Sequence, residues 1–223
     1  MHKKQPPNHH IYLIRHGNVD VPKNVCYGQL DCDVALDFNA EQSRLSDYFT
    51  KQACLDAPLN TSPLIISSPL KRCYLLAQGV KKALASQNTE SNIELQVNDA
   101  FKEINFGDWE GLTWESIGQE KIQCWSDDLL NYVFPKGESA SIFHERVINA
   151  WSDLIAQLAL EEAPKKIIII VHAGVIRSIL SHFLHIPLQH SLLLSVDKMS
   201  ASHLHISPQY ESLSRCVFIN KVL

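Results

Sequence analysis

Long apolar runs are missing from this sequence. No stretch approaches the roughly 18 residues that span a bilayer, and residues 1–10 lack the apolar core of a signal peptide. We therefore predict a cytoplasmic protein with no membrane partner. His2, His9 and His10 lie in a polar leader that contains proline, and we interpret this leader as a disordered tail rather than a metal site.

The sequence also has no excess of positive charge and no closely paired cysteines. Its formal net charge is -4, which argues against a nucleic-acid partner, so an anionic substrate must be held by a few locally placed cations. The six cysteines are scattered, and none belongs to a Cys-x-x-Cys pair. Neither a disulfide framework nor a zinc site is therefore indicated.

No stretch rich in glycine, serine or proline divides the chain, and no internal repeat is visible. A chain of 223 residues is long enough to bury one large core. Its hydrophobic content of 45% and charged content of 20% are ordinary for a soluble globular enzyme. We predict a disordered leader over residues 1–9 and a single catalytic domain over residues 10–223.

Short apolar runs alternate with longer segments of helical period, which predicts an α/β fold with a largely parallel sheet. The run at residues 167–171 is apolar throughout, as a central parallel strand should be. Other strands are predicted at residues 11–14, 64–67, 192–196, 201–206 and 216–219. One helix face is formed by Phe143, Val147, Trp151, Leu154 and Leu158.

Cationic groups follow the ends of three of these predicted strands. Ligands bind beyond the carboxyl ends of the strands in open parallel sheets. The residues at these ends that can carry positive charge are Arg15, His16, Arg72 and His172. Because arginine offers planar, bidentate donors to phosphate oxygens, the four side chains together predict a phosphate pocket.

The segment at residues 101–111 is rich in glycine and aromatic residues and is too irregular for a regular helix or strand. We interpret it as an active-site loop.

The order of these motifs resembles that of the histidine phosphatase superfamily, also called phosphoglycerate mutase-like. The triplet Arg15-His16-Gly17 resembles the defining motif of the family, and residues 67–72, 103–111, 137–139 and 172–177 resemble four further motifs in the family's order. Within the superfamily, residues 25–31 and 106–111 resemble the α-ribazole phosphatases of cobalamin synthesis. The resemblance implies a three-layer α/β/α sandwich with a mostly parallel central sheet.

The resemblance also implies a phosphatase that acts on a small phosphorylated metabolite without a cofactor or metal. The implied catalytic residues are His16, Glu103, Arg15, Arg72 and His172. Glu103 would be the general acid, and Asp108 is the second choice for that role. The expected substrate contacts are Gly17, Asn18, Tyr27, Gly28, Gln29 and Ala173. His16 would attack phosphorus, since neutral imidazole is a competent nucleophile near pH 7, and Gly17 would leave room for the phosphate beside the backbone. Asn18 stands where the family often has Glu, Gln or Thr, and its amide can donate to a phosphate oxygen.

Three alternatives stay open at this point. The first is a broad-specificity phosphatase for sugar phosphates or other small metabolites, which would use the same chemistry. Mutase activity is disfavoured, because the Trp-Asn pair and the Arg-x-Tyr-Gly sequence of the mutase branch are missing, and a non-catalytic phospho-ligand binder is disfavoured by the joint presence of His16, Glu103 and His172. The aromatic residues between positions 109 and 134 could be core or could form a lid over a ring-bearing leaving group.

Overall fold

The computed structural model describes residues 7–52, 62–87 and 93–223, and one mixed sheet lies at the centre of them. Its strands are β1 (His9–Arg15), β2 (Leu64–Ser67), β3 (Glu94–Val97), β4 (Lys166–Val171), β5 (Ser200–Ile206) and β6 (Arg215–Val222). The spatial order is β3-β2-β4-β1-β5-β6. The first four in chain order are mutually parallel, and β5 and β6 pair antiparallel. The predicted α/β class and mostly parallel sheet are confirmed.

Helices cover both faces of the sheet, as a three-layer sandwich requires. The helices are α1 (Phe38–Gln52), α2 (Lys71–Gln87), α3 (Trp114–Ile117), α4 (Gln119–Asp127), α5 (Ala140–Leu158) and α6 (Ala173–Phe183). Alternate side chains of one strand enter different cores, so Ile169 packs with α5 and α6 whereas Ile170 packs with α1 and α2.

The central strand β4 is buried along its whole length. Its four consecutive isoleucines are all fully shielded from solvent, and each contributes about 1.5–3 kcal/mol relative to an exposed side chain. Parallel pairing aligns the end of β4 with those of β1 and β2, through Arg15 opposite Val171 and Ser67 opposite Ile170. This alignment brings the residues that follow the three strands to one edge of the sheet.

The structure differs from the prediction at the end of the leader and at one predicted strand. The leader was extended too far, because His9 already belongs to β1 and is fully buried, and the backbone N–H of His10 donates to Lys165 O at 2.8 Å. The strand expected at residues 192–196 is not formed, and Leu188–Leu193 is a 3₁₀ helix instead. A short apolar run does not distinguish a strand from another buried or surface element, and Leu192 and Leu193 are 61% and 81% exposed.

A third, smaller core lies apart from the two faces of the sheet. Its buried members are Cys26, Trp109, Ile117 and Phe134. Trp109 and Phe134 are 2% and 1% exposed and contact each other edge to face. The core interpretation is therefore the right one for these two aromatic residues. Within the described ranges, no helix combines the length and the apolar character that a membrane crossing needs.

Candidate active site

His16 directly follows β1, and the sheet holds its backbone in place. Its N–H donates to Val171 O at 3.0 Å. The ring Nδ1 lies 2.8 Å from Gly17 O, and since a carbonyl only accepts, Nδ1 carries the proton and Nε2 keeps a lone pair. Burial, followed by the charges of Arg72 and Arg15, lowers the pKa of His16 well below its ordinary value of 6.5. The His16 ring is therefore neutral, with its lone pair on Nε2.

His172 lies beside His16 at the junction of β4 and α6. The two ring centroids are 5.2 Å apart in an edge-to-face arrangement. Nε2 of His172 is 2.8 Å from the Ser68 hydroxyl, and burial, followed by the charge of Arg72, lowers its pKa well below 6.5. The ends of β1, β2 and β4 thus meet in a group of hydrogen-bonded, neutral side chains.

Two arginines supply the positive charge at this edge of the sheet. Arg72 is 1% exposed and donates from Nη1 to Leu30 O at 2.9 Å and from Nη2 to Gly28 O. Arg15 donates from Nη1 to Val196 O at 2.6 Å. The Nε of each is buried and has no hydrogen-bond partner among the described residues. Buried donors of this kind require an acceptor, and an anion such as phosphate would provide one.

The carboxylate of Glu103, a residue of the loop after β3, lies at the amino-terminal end of α6. Its carboxylate accepts the N–H of Gly174 at 3.1 Å and that of Ile104 at 3.1 Å. A Cβ at position 174 would overlap this carboxylate, so glycine is needed there for the close approach. Arg146 and the Gln29 side chain both donate to the Glu103 carbonyl and fix the loop.

The alternative acid, Asp108, lies in a different environment. It is an exposed residue that forms an ion pair with Lys136 at 3.1 Å. Glu110 holds two loops together, because its carboxylate accepts the backbone N–H groups of Gln29 and Phe106. The geometry favours Glu103 over both.

Two of the expected phosphate contacts, Asn18 and Gly17, lie against carboxylates of the protein itself. The backbone N–H of Asn18 donates to the Glu41 carboxylate, and its side-chain amide donates to Asp37 and Glu41 at 2.9 and 3.0 Å. Each of these donors thus points to a carboxylate. The Glu41 carboxylate also fills the space beside Gly17, where a Cβ would overlap it. Both residues instead attach the loop after β1 to α1.

The other predicted substrate contacts divide into two groups. Tyr27 and Ala173 line the cavity described below, and the Arg72 guanidinium lies 5.5 Å from the centre of the Tyr27 ring. Gly28 and Gln29 contact the predicted catalytic residues Arg72 and Glu103. The Gly28 carbonyl anchors Arg72, and the Gln29 amide donates to the Glu103 carbonyl at 3.1 Å.

Sequence reasoning missed two further cations. Lys198 donates to the Asn18 side chain at 3.1 Å, and its charge contributes to the low pKa of His16. Arg177 is half-buried, donates from Nε to Leu194 O at 3.0 Å, and lines the cavity. A signal for Arg177 was present, because it stands four residues after Ala173 on one helix and thus on the same face. No pattern in the sequence distinguishes Lys198 from other lysines.

A cavity of about 270 Å³ opens beside Glu103. Its apolar wall is formed by Tyr27, Phe106, Trp125, Leu129, Leu130, Phe143 and Leu188, and its polar groups include Glu103, Arg177, Ser178 and Gln189. Trp125 therefore packs against the small core and also lines this cavity. The cavity can receive a largely apolar group attached to a phosphate held by the arginines.

The arrangement as a whole suits phosphoryl transfer. A neutral imidazole lone pair, two anchored guanidinium groups with buried donors, and a carboxyl group lie around one end of the sheet. Phosphoryl transfer requires in-line positioning and neutralisation of the charge on the equatorial oxygens.

Comparison with known proteins agrees with this geometry. The model of the histidine phosphatase superfamily (branch 1) matches residues 11–218. Phosphoserine phosphatase 1 of Hydrogenobacter thermophilus is 24% identical over 200 residues, which cover 88% of this chain and 86% of the relative.

Solved structures show the same fold at low sequence identity. The α-ribazole phosphatase of Shigella flexneri superimposes with a TM-score of 0.75 at 19% identity, covering 95% of this chain and 96% of the other. A mycobacterial glucosyl-3-phosphoglycerate phosphatase gives a TM-score of 0.76 at 20% identity, covering 96% and 99%. The names of these proteins give different substrates, so the likeness establishes the fold and does not identify a substrate.

Proposed function

The chain belongs to the histidine phosphatase superfamily, branch 1, and from this premise we propose that it hydrolyses a phosphomonoester through a phosphohistidine at His16. The observation that carries the proposal is the hydrogen bond from Nδ1 of His16 to Gly17 O, which leaves Nε2 unprotonated. The low pKa of the buried ring keeps that lone pair available at neutral pH.

The first half-reaction transfers the phosphoryl group to the enzyme. Nε2 of His16 attacks phosphorus, the N–P bond forms, and the bond to the substrate oxygen breaks. Arg15, Arg72 and His172 bind the equatorial oxygens. Glu103 gives its proton to the departing oxygen, which leaves as an alcohol.

The second half-reaction regenerates the enzyme. Glu103, now a carboxylate, takes a proton from water as the water oxygen attacks phosphorus. The N–P bond breaks, inorganic phosphate is released, and His16 recovers its neutral form. One carboxyl group thus serves as acid and then as base.

For the substrate we propose α-ribazole 5'-phosphate, or adenosylcobalamin 5'-phosphate, in cobalamin synthesis. The cavity beside Glu103 has an aromatic and aliphatic wall suited to a ring-bearing leaving group. The resemblance of residues 25–31 and 106–111 to α-ribazole phosphatases supports the same choice, and Tyr27 and Phe106 from these segments line that wall.

Arg177 favours a second candidate, a phosphatase with broad specificity for small metabolites. Its half-buried guanidinium lies in the cavity wall, where it could pair with a carboxylate of an acidic phosphomonoester. A relative named as a phosphoserine phosphatase is consistent with this alternative.

A panel of phosphate monoesters separates these candidates. We expect kcat/KM for α-ribazole 5'-phosphate to exceed that for phosphoserine and glycerol phosphate, and Arg177→Met to leave this preference unchanged. Similar kcat/KM values across the panel would support the second candidate instead, and Arg177→Met should then lower the value for phosphoserine more than that for glycerol phosphate. Acid-quenched enzyme should carry labelled phosphate with either substrate, and an enzyme that turns over without a trapped phosphoenzyme would contradict the mechanism itself.

A further inference from the structure

Three histidines converge on one face of the sheet, far from His16. In the antiparallel pairing of β1 with β5, His10 lies opposite His205 and Tyr12 lies opposite His203. Directly paired residues share a face, and residues two apart on a strand also share a face. His10, His203 and His205 therefore project together near the start of β1, about 20 Å from His16 at the rise of an extended strand.

The three imidazoles are close enough to share one ion. Each offers a ring nitrogen within 4.8 Å of those of the other two. Nε2 of His203 and Nδ1 of His10 are hydrogen-bonded at 3.3 Å, and zinc would displace the proton between them. Two nitrogens bound tetrahedrally to one zinc ion at about 2.0–2.1 Å are separated by about 3.3–3.4 Å. This pair therefore already has the spacing of two zinc ligands.

The surrounding residues hold the cluster in place and leave one side open. The Tyr12 ring stacks on His203 with centroids 4.1 Å apart and planes 8° from parallel. His10 and His203 are buried, whereas His205 is only partly buried. Rigid strands fix three nitrogens while the His205 side admits solvent, as expected for three protein ligands and a water molecule.

We propose that His10, His203 and His205 form a binding site for a divalent transition-metal ion, with Zn²⁺ as the ion that best fits three imidazoles and one water. The site lies outside the machinery of phosphoryl transfer. Its ion would connect β1 to β5 and stabilise the folded chain by mass action.

Two positively charged side chains near the three histidines lower the affinity of the site for Zn²⁺. Arg215 donates from Nε to Nδ1 of His205 at 3.1 Å. A metal at His205 would either take Nδ1 itself or move the ring proton onto Nδ1, and Arg215 loses its acceptor in both cases. Lys166, opposite His10 on β4, is buried on the same face. We therefore expect weaker binding than at a closed site with four protein ligands.

The test uses the full chain without a polyhistidine tag and with His2→Ala, so that added and leader imidazoles do not contribute. Calorimetric titration with Zn²⁺ should give one ion per chain, and Co²⁺ should give the visible absorption of a four-coordinate ion. Zinc should raise the melting temperature, and EDTA should reverse this gain while the phosphatase rate stays unchanged.

Variants then separate a metal site from a structural histidine cluster. His205→Ala and His203→Asn should weaken zinc binding at least about 100-fold, more than the loss of a supporting group costs. Arg215→Ala should tighten it about three- to tenfold, since both a competing hydrogen bond and a like charge disappear. The exposed His182 provides the matched control, and His182→Ala should leave zinc binding unchanged.

An unaltered phosphatase rate shows that each variant is folded. Failure of the parent protein to bind zinc, or stoichiometric binding that persists in both His203→Asn and His205→Ala, would overturn the proposal. Loss of phosphatase activity in every protein, the parent included, would instead contradict the proposed function and leave the zinc result to be judged by calorimetry alone.

Discussion

The cationic end of the sheet and the cavity beside it are adjacent but are built differently. At the end of the sheet, His16 and His172 follow strands, and their rings are fixed by hydrogen bonds to Gly17 and Ser68. The cavity wall comes mainly from helices and connecting segments, with Trp125 and Leu129 as examples. The end of the sheet is suited to the proposed phosphoryl transfer, and the cavity wall is suited to selecting the group that leaves.

This comparison predicts that substitutions at the sheet end change the chemistry for every substrate, whereas those in the cavity change the preference among substrates. Each of the following experiments tests one side of that division.

The largest effect is expected at the nucleophile. His16→Ala removes the atom that bonds to phosphorus, so kcat should fall at least about 10⁴-fold for all substrates. Acid-quench labelling should detect no phosphoenzyme. His182→Ala, a change at an exposed histidine of α6, should retain both signals. Labelling of the His16→Ala protein at the wild-type level would place the nucleophile elsewhere.

The next effect concerns the buried guanidinium. Arg72→Lys keeps the charge but loses the planar donors, so kcat/KM should fall about 10²–10³-fold for all substrates. Inorganic phosphate should also inhibit more weakly. The control is Arg44→Lys at an exposed position of α1, which should have no effect. Equal rates in the two variants would show that Arg72 does not contact phosphate.

Glu103→Gln should slow the enzyme according to the leaving group. An alkyl phosphate requires a proton on the departing oxygen, and its kcat should fall about 10²–10⁴-fold. Nitrophenyl phosphate, whose nitrophenolate leaves without a proton, should be affected far less in its first half-reaction, measured as the pre-steady-state burst. If Asp108→Asn showed this dependence and Glu103→Gln slowed both substrates equally, the acid would be Asp108.

A smaller and selective effect is expected in the cavity. Trp125→Ala should raise KM about five- to tenfold for a ring-bearing substrate, because an aromatic contact is lost. KM for glycerol phosphate, which is too small to fill the cavity, should stay unchanged. An equal rise for both substrates would remove the distinction between the two regions.

The smallest predicted change is in pH dependence. Because the pKa of His16 lies well below 6.5, its lone pair survives acidification past that value, and kcat/KM should fall only at lower pH. Stability should respond earlier, since His16 and His172 in the unfolded chain bind protons below about pH 6.5 while the native rings stay neutral. The free energy of unfolding should thus decrease as pH falls from 6.5 toward the native pKa values. An acid limit of kcat/KM at or above pH 6.5 would contradict the first expectation.

The strand ends could be predicted because their signals are local. The isoleucine run of β4 is followed at once by His172, and Arg15 and His16 directly follow the apolar residues of β1. Parallel pairing then guarantees that these residues meet. The polar edge strand β3 has no such apolar signal and was missed.

The contacts that the sequence does not reveal depend on residues distant in sequence. Nothing near Asn18 indicates that Glu41, 23 positions later, accepts its hydrogen bonds. The histidine cluster likewise depends on the register of β5 against β1, which sets His205 opposite His10. Contacts of this kind are determined by how the strands and helices pack, and no periodic pattern of residue types in the sequence indicates them.

The small core of Cys26, Trp109, Ile117 and Phe134 has a consequence for how this enzyme can diversify. It is separate from the two cores of the sheet, and among the described residues Ile104, the neighbour of Glu103, packs against both it and the α5 and α6 side. We therefore expect mutations around Trp125 to leave the strands that precede His16 and His172 intact. Under the proposed function, natural selection or a directed-evolution library acting on this segment would exchange one metabolite for another while the reaction itself is inherited intact.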